Sequence, residues 1–453
     1  MLWKFPTEAN RIAIIEPGGK IYTYEQLQID VQSMSEKIQT KRKVLILLLA
    51  RNDYNSLLGY LASLHTNHAV MLLNADLDKN LLETIIHTYK PTTIMGSYPH
   101  NDYAEVEEGF WQRQVAPEYE IHPDLAVLLS TSGTTGSIKF VRLSYSNILA
   151  NAKSIAEYLQ ITKDDRGLAN LPFHYSYGLS IINSHLFAGA TILLTNEGVL
   201  TKSFWEFMEK EKATSFAGVP YTYQILQRIN FQKMDLPALR YFTQAGGRLN
   251  EKLVRLFGEY AKEHEKKFYV MYGQTEATAR ISYVPPEALL QKSSSIGKPI
   301  PDGMLSIDPE TEELLYEGPN VMLGYATHFM DLAKGDELQG KLHTGDLAEV
   351  DEEGYFYIKG RMKRFIKLFG LRLNLDDIEK QIELKIQSAA VCVGTDDKMV
   401  VVVHEEKYKD TVQCFVENVY KLHRSAFRVK VLEEIPRLSN GKVHYDSLKE
   451  LVI

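Results

Sequence analysis

Residues 128 to 140, LLSTSGTTGSIKF, place a run of hydroxyls and glycines directly after an apolar segment. Leu125 to Leu129 have the pattern of a short buried strand, and from Ser146 onward the apolar spacing becomes helical. The polar run is therefore predicted to be a loop between a strand and a helix. Its glycines let backbone N–H groups approach a ligand closely, while the hydroxyls and Lys139 add donors and a positive charge. Such a loop is typical of a polyphosphate site.

An ordinary turn rich in Gly, Ser and Thr is the simplest alternative for this segment. Five hydroxyl residues around two glycines exceed what a turn requires, however, and a lysine lies three residues beyond the second glycine. The segment does not match the GxxxxGK motif followed by Ser or Thr. A P-loop NTPase is therefore the weaker nucleotide hypothesis, although another nucleotide-using enzyme and a non-catalytic binding protein both stay open.

The composition is typical of a globular protein without nucleic-acid or membrane partners. With 453 residues the chain is too long for one compact core, so a large and a smaller domain are expected. Its net charge of -7 provides no overall attraction to nucleic acid or to anionic membranes. Cys392 and Cys414 are too few for a disulfide framework or a thiolate metal cluster. No secretory leader or membrane span is recognisable, so a cytoplasmic location is expected.

Short β-rich apolar runs alternate with segments of helical periodicity over most of the chain. This alternation predicts an α/β fold with largely parallel sheets. After about residue 300 strand-and-turn segments take over, and near residue 360 a basic stretch precedes a helix that opens with Asp376 and Asp377. A domain junction is placed there. The predicted strands are residues 43–50, 69–75, 92–96, 125–131, 190–195 and 267–273.

Three charged residues attract attention, and each has an ordinary structural explanation. Glu276 in YGQTEATAR follows a predicted strand beside an aromatic ring, a glycine and a hydroxyl, although a lone glutamate is usually a solvated surface acid. Asp346 in KLHTGDLAEV follows a Thr-Gly turn at the end of a strand segment and could simply cap its own backbone. Lys442 in PRLSNGKVHY lies on a short turn near the C-terminus. Considered singly, none of the three identifies a function.

The order of the motifs along the chain resembles that of a known family. STSGTTGSIK, LPFHYSYG, YGQTEA, GPNVMLGY, TGD, GRMKRFIKLFG and PRLSNGK look like the signature motifs of the acyl-adenylate-forming superfamily, which holds acyl-CoA synthetases, peptide-synthetase adenylation domains and luciferase-like enzymes. The resemblance implies a large N-terminal domain of α/β sheets with a small β-barrel-like part, residues 1–360. A small mobile C-terminal α/β domain, residues 361–453, would follow a hinge near Lys363.

The resemblance also implies a chemistry in which ATP and Mg²⁺ convert a carboxylic acid into an acyl-adenylate, and a thiol then takes the acyl group. Lys442 would bridge the substrate carboxylate and the α-phosphate, and Glu276 would bind Mg²⁺. Asp346 would accept hydrogen bonds from the ribose hydroxyls with Arg361 beside it, and Tyr272 would stack on adenine. The other implied nucleotide contacts are Thr131, Ser132, Gly133, Thr134 (also a metal contact), Thr135, Gly136 and Lys139 at the phosphates, and Gly246, Gly247 and Gly273 at the base.

The acid itself is less well defined by the sequence. Amino-acid-activating relatives place an aspartate where this chain has His174, and a neutral imidazole cannot supply that negative charge, so a non-amino acid is favoured. Polar and aromatic residues favour a small or functionalised acid over a long alkyl chain. An amino-acid-activating enzyme that loads a carrier protein is the alternative. The predicted acyl pocket comprises His174, Tyr175, Ser176, Gly218, Gln244, Ala245 and Arg280.

The thiol acceptor is predicted to be CoA or the phosphopantetheine of an acyl carrier protein. By resemblance, Thr275 takes part in catalysis, and the small domain turns about Lys363 so that Gly370 opens a pantetheine passage. Basic residues could meet the phosphates of CoA or the acidic surface of a carrier protein, although charge runs are usually solvated faces. These are Arg361, Lys363, Arg364, Lys367 and Arg372 at the junction, and Lys421, Arg424, Arg428 and Lys430 in the small domain.

Overall fold

The computed structural model describes most of the chain and divides it into two compact units. The described residues are 10–98, 101–115, 117–130, 139–362, 364–368, 371–395, 398–420, 422–438 and 441–453. The first unit comprises residues 1–304 and 316–342, and the second comprises residues 305–315 and 343–453. Among the described residues, no helix is long and apolar enough to cross a membrane.

Strands and helices alternate along the first unit, as the apolar runs predict. The strands of both units are given together, in chain order. The strands are Ile12–Glu16 (β1), Lys20–Thr23 (β2), Leu45–Ala50 (β3), Ala69–Asn74 (β4), Thr93–Met95 (β5), Tyr103–Glu107 (β6), Phe110–Arg113 (β7), Leu125–Ser130 (β8), Phe140–Ser144 (β9), Arg166–Ala169 (β10), Thr191–Leu194 (β11), Ser215–Gly218 (β12), Tyr241–Gln244 (β13), Lys267–Tyr272 (β14), Ser282–Val284 (β15), Lys298–Pro299 (β16), Met304–Ile307 (β17), Glu313–Glu317 (β18), Gly324–Ala326 (β19), Lys341–Val350 (β20), Phe356–Arg361 (β21), Phe365–Leu368 (β22), Leu371–Asn374 (β23), Ala390–Thr395 (β24), Lys398–Val403 (β25) and Phe427–Val431 (β26).

Most α-helices are amphipathic, and two of them, Tyr54–His65 and Ser176–Phe187, are buried over most of their surface. The α-helices are Tyr24–Ile38 (α1), Tyr54–His65 (α2), Lys79–Tyr89 (α3), Tyr145–Tyr158 (α4), Ser176–Phe187 (α5), Lys202–Lys210 (α6), Pro220–Arg228 (α7), Glu251–Glu263 (α8), Leu375–Ile386 (α9), Lys409–Tyr420 (α10) and Tyr445–Val452 (α11). Short 3-10 helices cover Phe231–Lys233, Thr275–Ala277, Phe329–Ala333 and Glu406–Tyr408.

Two large sheets form the first unit. One has nine strands in the order β16-β15-β14-β13-β12-β10-β11-β1-β2, and the other has eight in the order β19-β9-β8-β4-β3-β5-β7-β6. Strands β12, β13 and β14 are parallel neighbours and end at Gly218, Gln244 and Tyr272. Because ligands of open α/β sheets bind beyond the carboxyl ends of the strands, the fold brings these three predicted site residues to the expected edge.

The core of the first unit lies on both faces of each sheet. Helices α1, α2, α4 and α5 share one apolar cluster with strands of both sheets, so they lie between the sheets. Helices α6, α7 and α8 cover the other face of the nine-stranded sheet, and α3 covers that of the eight-stranded sheet. Strands buried on both faces need apolar residues at successive positions, which explains runs such as LILLLA in β3.

The second unit has smaller sheets. Strands β17, β18, β20 and β21 form a four-stranded sheet in that order, and β22 pairs with β23. Strands β24, β25 and β26 form a three-stranded sheet, with α9 and α10 packed on one face and α11 on the other. Helix α9 begins after Asn374, whose side chain accepts hydrogen bonds from the N–H groups of Asp376 and Asp377. The predicted helix with two aspartates in its first turn is confirmed.

The element that follows the predicted polar loop is a strand and not the expected helix. The strand before it is confirmed as β8, but the loop leads into a second strand, β9, which pairs antiparallel with β8. Helix α4 begins only at Tyr145, after Ser144 caps its first turn. The sequence prediction missed β9 because five buried residues are too few to show a period. Residues 131–138, which hold most of the loop, lie outside the described residues.

The compact units differ from the predicted domain boundary at residue 360. Residues 305–315 and 343–360 belong to the second unit, because their strands β17, β18, β20 and β21 pair with one another. This grouping does not test where the chain turns during a reaction. Lys363, the predicted hinge, and Gly370 lie outside the described residues, so the hinge stays a prediction.

Candidate active site

Glu276 lies in the short helical turn Thr275–Ala277 that follows β14. Its side chain is partly buried, and Oε1 accepts a hydrogen bond of 2.9 Å from the hydroxyl of Tyr325. Its backbone oxygen accepts another of 2.9 Å from the N–H of Met322. Burial and the nearby Glu276 carboxylate raise the pKa of Tyr325, so its hydroxyl remains protonated and continues to donate. The carboxylate is therefore oriented by the protein before any ligand binds.

The lysine at the end of the polar loop contacts the same tyrosine. Lys139 Nζ is 3.4 Å from the centre of the Tyr325 ring, within the range of a cation–π contact. The two residues meet because β19 pairs antiparallel with β9, with Tyr325 opposite Val141. Tyr325 thus contacts both the predicted phosphate-binding cation and the predicted metal-binding carboxylate. Sequence reasoning quoted its motif, GPNVMLGY, but assigned it no role, because only the strand pairing reveals its neighbours.

The segment that follows Glu276 is held in place by Asn320. The Asn320 amide donates to the backbone oxygens of Ala277 at 2.9 Å and Arg280 at 2.8 Å. Thr278 between them has a φ of 63°, a strained left-handed angle, and its hydroxyl donates to the Asn320 oxygen at 2.7 Å. These bonds maintain the unusual turn and so determine where Glu276 and Arg280 point.

The donor chemistry at Glu276 fits Mg²⁺. Magnesium prefers oxygen ligands and is usually held by one or two carboxylates together with substrate phosphates. In the described part of the chain, no group of three or more His, Cys, Asp or Glu side chains is placed to hold a metal. Glu276 would therefore share the ion with the phosphates of a nucleotide. Thr134, the other predicted metal contact, lies outside the described residues.

The residues predicted to surround the base follow the ends of β13 and β14. At Gly273 only glycine fits, because a Cβ there would be 2.0 Å from a backbone oxygen. Gly246 has a φ of 83°, and a Cβ there would be 2.6 Å from the Tyr175 hydroxyl. Tyr272 accepts a hydrogen bond of 3.2 Å at its hydroxyl from the amide of Gln274. Both glycines are thus required by close approach, and the second one lets Tyr175 reach the turn.

Side-chain hydrogen bonds connect motifs that lie far apart in the sequence. The hydroxyl oxygens of Ser176 and Thr275 are 3.2 Å apart, which links LPFHYSYG to YGQTEA. The Gln244 amide donates to the backbone oxygen of Gly247 at 2.8 Å. His174 Nδ1 is buried without a hydrogen-bond partner among the described residues, and burial lowers the pKa of this imidazole to about 4. His174 is therefore neutral at pH 7, as the prediction about the substrate assumed.

A small cavity of about 20 Å³, room for about one water molecule, lies between helices α4 and α5 and strands β12 to β14. Arg280 lines it, whereas the other six predicted acyl-pocket residues, all of them described, are not among its lining residues. Sequence reasoning missed Tyr177, Ile181 and His185, which line the cavity from α5. Their spacing of four residues is a signal that could have found them, since it places them on one face of a helix.

In the second unit, Asp346 and Arg361 form the pair that the resemblance implied. Arg361 Nε is 3.4 Å from Asp346 Oδ1, and the two residues lie opposite each other on β20 and β21. The expectation that Asp346 follows a turn at the end of a strand is wrong, because β20 continues through it from Lys341 to Val350. Gly345 has a φ of 72° within this strand, and its N–H donates to Glu313 Oε1 at 2.8 Å. The Glu313 carboxylate thus accepts a hydrogen bond from the backbone N–H at the point where the strand is distorted.

Arg364, one member of the predicted basic cluster, forms ion pairs within the second unit. The Arg364 guanidinium pairs with Asp376 and with Glu379, where the Nη2 to Oε1 distance is 2.8 Å. It also donates to the Cys392 backbone oxygen at 2.6 Å and to the Tyr445 hydroxyl at 3.0 Å. Arg364 therefore anchors β22 to α9, β24 and α11 and has a structural role, not the docking role considered for the cluster.

Lys442 lies on a turn, as predicted. Its backbone oxygen accepts a hydrogen bond of 2.8 Å from the N–H of Leu438, and Arg437 pairs with Val443 across the turn. Arg437 Nη1 also donates to the Gly441 oxygen at 3.0 Å. These bonds tie both ends of the turn to each other, so the position of the Lys442 backbone is well defined within the second unit.

A cation and an oriented carboxylate that share one tyrosine are what an enzyme that handles a nucleotide phosphate needs, and comparison with known proteins agrees. The model of the AMP-binding enzyme family matches residues 3–326. The chain is 27% identical over 469 residues to 2-succinylbenzoate–CoA ligase of Bacillus cereus, covering 97% of this chain and 95% of the relative. It is 29% identical over 364 residues to oxalate–CoA ligase of Arabidopsis thaliana, covering 72% and 68%.

Solved structures of the same fold also match almost the whole chain. MatB from Rhodopseudomonas palustris with bound ATP has a TM-score of 0.80 at 21% identity, covering 99% of this chain and 97% of that one. The o-succinylbenzoate CoA synthetase (MenE) of Bacillus subtilis, bound to its acyl-adenylate intermediate, has a TM-score of 0.77 at 23% identity, covering 97% and 95%. The same synthetase is also known in complex with ATP and magnesium ion.

This chain belongs to the AMP-binding enzyme family. The predicted superfamily, the α/β fold and the enzyme class are thereby confirmed. The roles assigned to individual residues stay predictions.

Replacing Tyr325 by phenylalanine tests whether it orients Glu276. The ring that contacts Lys139 is kept, but the hydrogen bond to the carboxylate is lost. Loss of such a supporting partner typically costs about 10- to 100-fold in metal affinity or activity. We expect a higher Mg²⁺ concentration for half-maximal ATP–pyrophosphate exchange, with most of the rate recovered at saturating Mg²⁺.

The matched control for Tyr325→Phe is Tyr98→Phe, which removes another tyrosine–glutamate hydrogen bond of the first unit, to Glu83 at 3.1 Å. It should leave the Mg²⁺ dependence unchanged. If Tyr325→Phe and Tyr98→Phe have the same Mg²⁺ dependence as the wild type, Tyr325 does not position the metal ligand.

Proposed function

We propose that this protein is an AMP-forming acid–thiol ligase that joins a small carboxylic acid to CoA at the expense of ATP. The observation that carries the proposal is the cluster in which Tyr325 contacts both Lys139 and Glu276. A cation and a carboxylate that can hold a divalent metal, brought together on one tyrosine, suit a metal-bound triphosphate. Both relatives are named as CoA ligases, with CoA as the acceptor.

The first half-reaction makes the acid reactive. A carboxylate oxygen attacks the α-phosphorus of ATP, the bond to the β-phosphate breaks, and pyrophosphate leaves with the negative charge. When bound, Mg²⁺ supplies positive charge to the phosphate oxygens. Lys139 binds the phosphates, and Glu276 holds its carboxylate in the direction that Tyr325 imposes. Lys442 donates to the substrate carboxylate and the α-phosphate.

The second half-reaction transfers the acyl group. The thiolate of CoA attacks the acyl carbon, the mixed anhydride bond breaks, and AMP leaves. Asp346, paired with Arg361, accepts hydrogen bonds from the ribose hydroxyls and keeps the nucleotide bound through both steps. An acyl carrier protein would offer the same phosphopantetheine thiol and is the second candidate acceptor. A cytoplasmic location, where ATP and CoA are abundant, agrees with this proposal.

A panel of acids with purified protein tests the proposal. We expect acid-dependent ATP–pyrophosphate exchange with non-amino carboxylic acids, an acyl-adenylate detectable by mass spectrometry, and a thioester when CoA is added. The twenty common α-amino acids should support less exchange, because neutral His174 cannot pair with a substrate amine. The control omits the acid, which should remove the exchange.

Different results would point to the alternatives. An amino acid that outperforms every non-amino acid would make this an amino-acid-activating enzyme. Phosphate release from ATP in place of pyrophosphate would indicate another nucleotide-using enzyme. A thioester that forms on a carrier protein and not on CoA would change the acceptor while leaving the first half-reaction intact.

A further inference from the structure

Glu313 is a buried glutamate whose two carboxylate oxygens both contact the segment that leads to Asp346. The residue is 8% exposed and lies on strand β18, within the second unit. Its Oε1 atom accepts a hydrogen bond of 2.8 Å from the N–H of Gly345, and Oε2 is 2.8 Å from His343 Nδ1. A buried carboxylate is unfavourable unless hydrogen bonds compensate for the lost water, so these two contacts fix the side chain.

Gly345 interrupts the regular geometry of β20 immediately before Asp346. Its φ of 72° is a left-handed angle, whereas no described atom lies within 4 Å of a Cβ built there. The glycine is therefore required by the backbone angle and not by lack of space. Pairing of β20 with β21 begins at the next residue, where Asp346 lies opposite Arg361. Because successive side chains of a strand lie on opposite faces, the backbone at Gly345 determines where the Asp346 carboxylate lies.

The residue between the two Glu313 contacts is tied to the same strand. The Thr344 hydroxyl donates to the backbone oxygen of Leu314 at 2.7 Å, and it accepts the N–H of Asp346 at 3.1 Å. Adjacent residues of β18 thus hold consecutive residues of β20, from His343 to Asp346. Within this set of contacts, Glu313 is the residue that binds the distorted part of the backbone.

The Asp346 carboxylate depends on this support because it is nearly enclosed. Its side chain is 7% exposed, and Arg361 Nε lies 3.4 Å from Oδ1. A ligand can reach such a carboxylate only over a small part of its surface, so a shift of the backbone that carries it removes the contact. A misplacement of about 1 Å in a binding constellation can cost on the order of 100-fold in rate.

We propose that Glu313 is a positioning residue for ribose recognition, which holds Asp346 through the Gly345 N–H where its carboxylate accepts the 2′- and 3′-hydroxyls of ATP. The inference rests on the proposed function, which gives Asp346 that contact, and it adds the residue on which selectivity for a ribonucleotide depends. Glu313 acts through the backbone and not by binding the nucleotide itself. A carboxylate suits this task, because hydrogen bonds to a charged acceptor are roughly twice as strong as those between neutral groups.

Two nucleotides isolate the ribose contact. ATP carries both hydroxyls, and 2′,3′-dideoxy-ATP lacks both while keeping the base and the triphosphate. The measurement is kcat/KM for each nucleotide in acid-dependent pyrophosphate exchange. For the wild type we expect ATP to be preferred on the order of 100-fold, because a site built to bind hydroxyls discriminates against the analogue that lacks them. Damage that is merely structural lowers both values alike and leaves their ratio unchanged.

Removal of the Glu313 carboxylate should act on ATP and not on the analogue. In Glu313→Ala we expect kcat/KM for ATP to fall about 10- to 100-fold, with that for 2′,3′-dideoxy-ATP changed by less than about 3-fold. Glu313→Asp provides a second variant should alanine unfold the protein. It keeps the charge but is one methylene shorter, which withdraws its oxygens from Gly345, so the preference for ATP should fall there as well.

A double-mutant cycle shows whether Glu313 acts through Asp346. Asp346→Ala should abolish the preference for ATP. Glu313→Ala combined with Asp346→Ala should be no worse than Asp346→Ala alone, because the carboxylate that Glu313 positions is already absent, whereas independent structural effects would add. Glu349→Ala, at an exposed glutamate of the same strand β20, is the control and should retain the wild-type preference.

Three results would overturn the inference while leaving the proposed ligase intact. The first is a wild type that uses ATP and 2′,3′-dideoxy-ATP equally well. The second is a folded Glu313 variant that keeps the wild-type preference, including one that loses activity equally with both nucleotides. The third is an additive loss in the double variant, which would make the role of Glu313 structural only.

If no acid supports exchange, the proposed function fails, and calorimetric titration of the two nucleotides with Mg²⁺ decides the inference by itself. The proteins are the wild type, Glu313→Ala and Asp346→Ala. Tighter binding of ATP that disappears in both variants supports the inference. Equal binding of the two nucleotides by the wild type, binding of neither, or a preference that survives in Glu313→Ala overturns it.

Discussion

Glutamine in place of Glu276 is expected to lower acid-dependent ATP–pyrophosphate exchange on the order of 100- to 1,000-fold, the effect of losing one electrostatic contact in a catalytic site. The substitution keeps the shape of the side chain and its acceptor oxygen for Tyr325, but it removes the negative charge that Mg²⁺ needs. The loss should therefore persist when Mg²⁺ is raised. Exchange rates over a range of Mg²⁺ concentrations measure it.

A surface glutamate of the same unit provides the control for this variant. Glu259 is exposed on helix α8, so Glu259→Gln removes one negative charge without touching the site. Its exchange rate and Mg²⁺ dependence should equal those of the wild type, and both variants should melt at the wild-type temperature. An exchange rate for Glu276→Gln close to that of Glu259→Gln would show that Glu276 does not bind the metal.

Alanine in place of Lys442 is expected to reduce adenylate formation by about 100- to 1,000-fold while sparing the transfer step. A cation beside the α-phosphate stabilises the charge that develops as pyrophosphate leaves, but it has no comparable charge to stabilise when a thiolate attacks the acyl carbon. The two half-reactions are measured separately. ATP–pyrophosphate exchange reports the first, and thioester formation from a supplied acyl-AMP and CoA reports the second.

Lys449, an exposed lysine on helix α11 of the same unit, provides the matched control for Lys442. Lys449→Ala should leave both half-reactions unchanged. Equal damage to both half-reactions in Lys442→Ala would contradict the proposal that one lysine serves only the first step. No damage to either would remove Lys442 from the catalytic residues.

Local patterns in the sequence determined a large part of this fold. The predicted strands at residues 43–50, 69–75 and 267–273 occur as β3, β4 and β14, because short runs of successive apolar residues suit strands that are covered on both faces. Helix α9 begins where Asn374 caps the first turn and two aspartates lie within it. The motifs also placed the chain in its family, since their order along the chain survives where overall identity is low.

Tertiary structure alone decided which residues share the site. Tyr325 meets Lys139 because β19 pairs with β9, and such a pairing between distant segments leaves no local periodicity. Arg364 is a second example. The sequence grouped it with a basic docking cluster, but in the structure it forms ion pairs with Asp376 and Glu379. A charged residue in a sequence does not reveal whether its partner is already within the protein.

Arg280 is the converse case, a charged residue whose lack of a partner at Nε among the described residues the sequence does not reveal. The sequence placed it in an acyl pocket, but its buried Nε without a partner became visible only when Tyr177 and Tyr158 were found around it. The sequence by itself determined the elements and the chemistry of the nucleotide, because both depend on short motifs. The burial and pairing of individual charges depend on contacts between distant segments, which no short motif records.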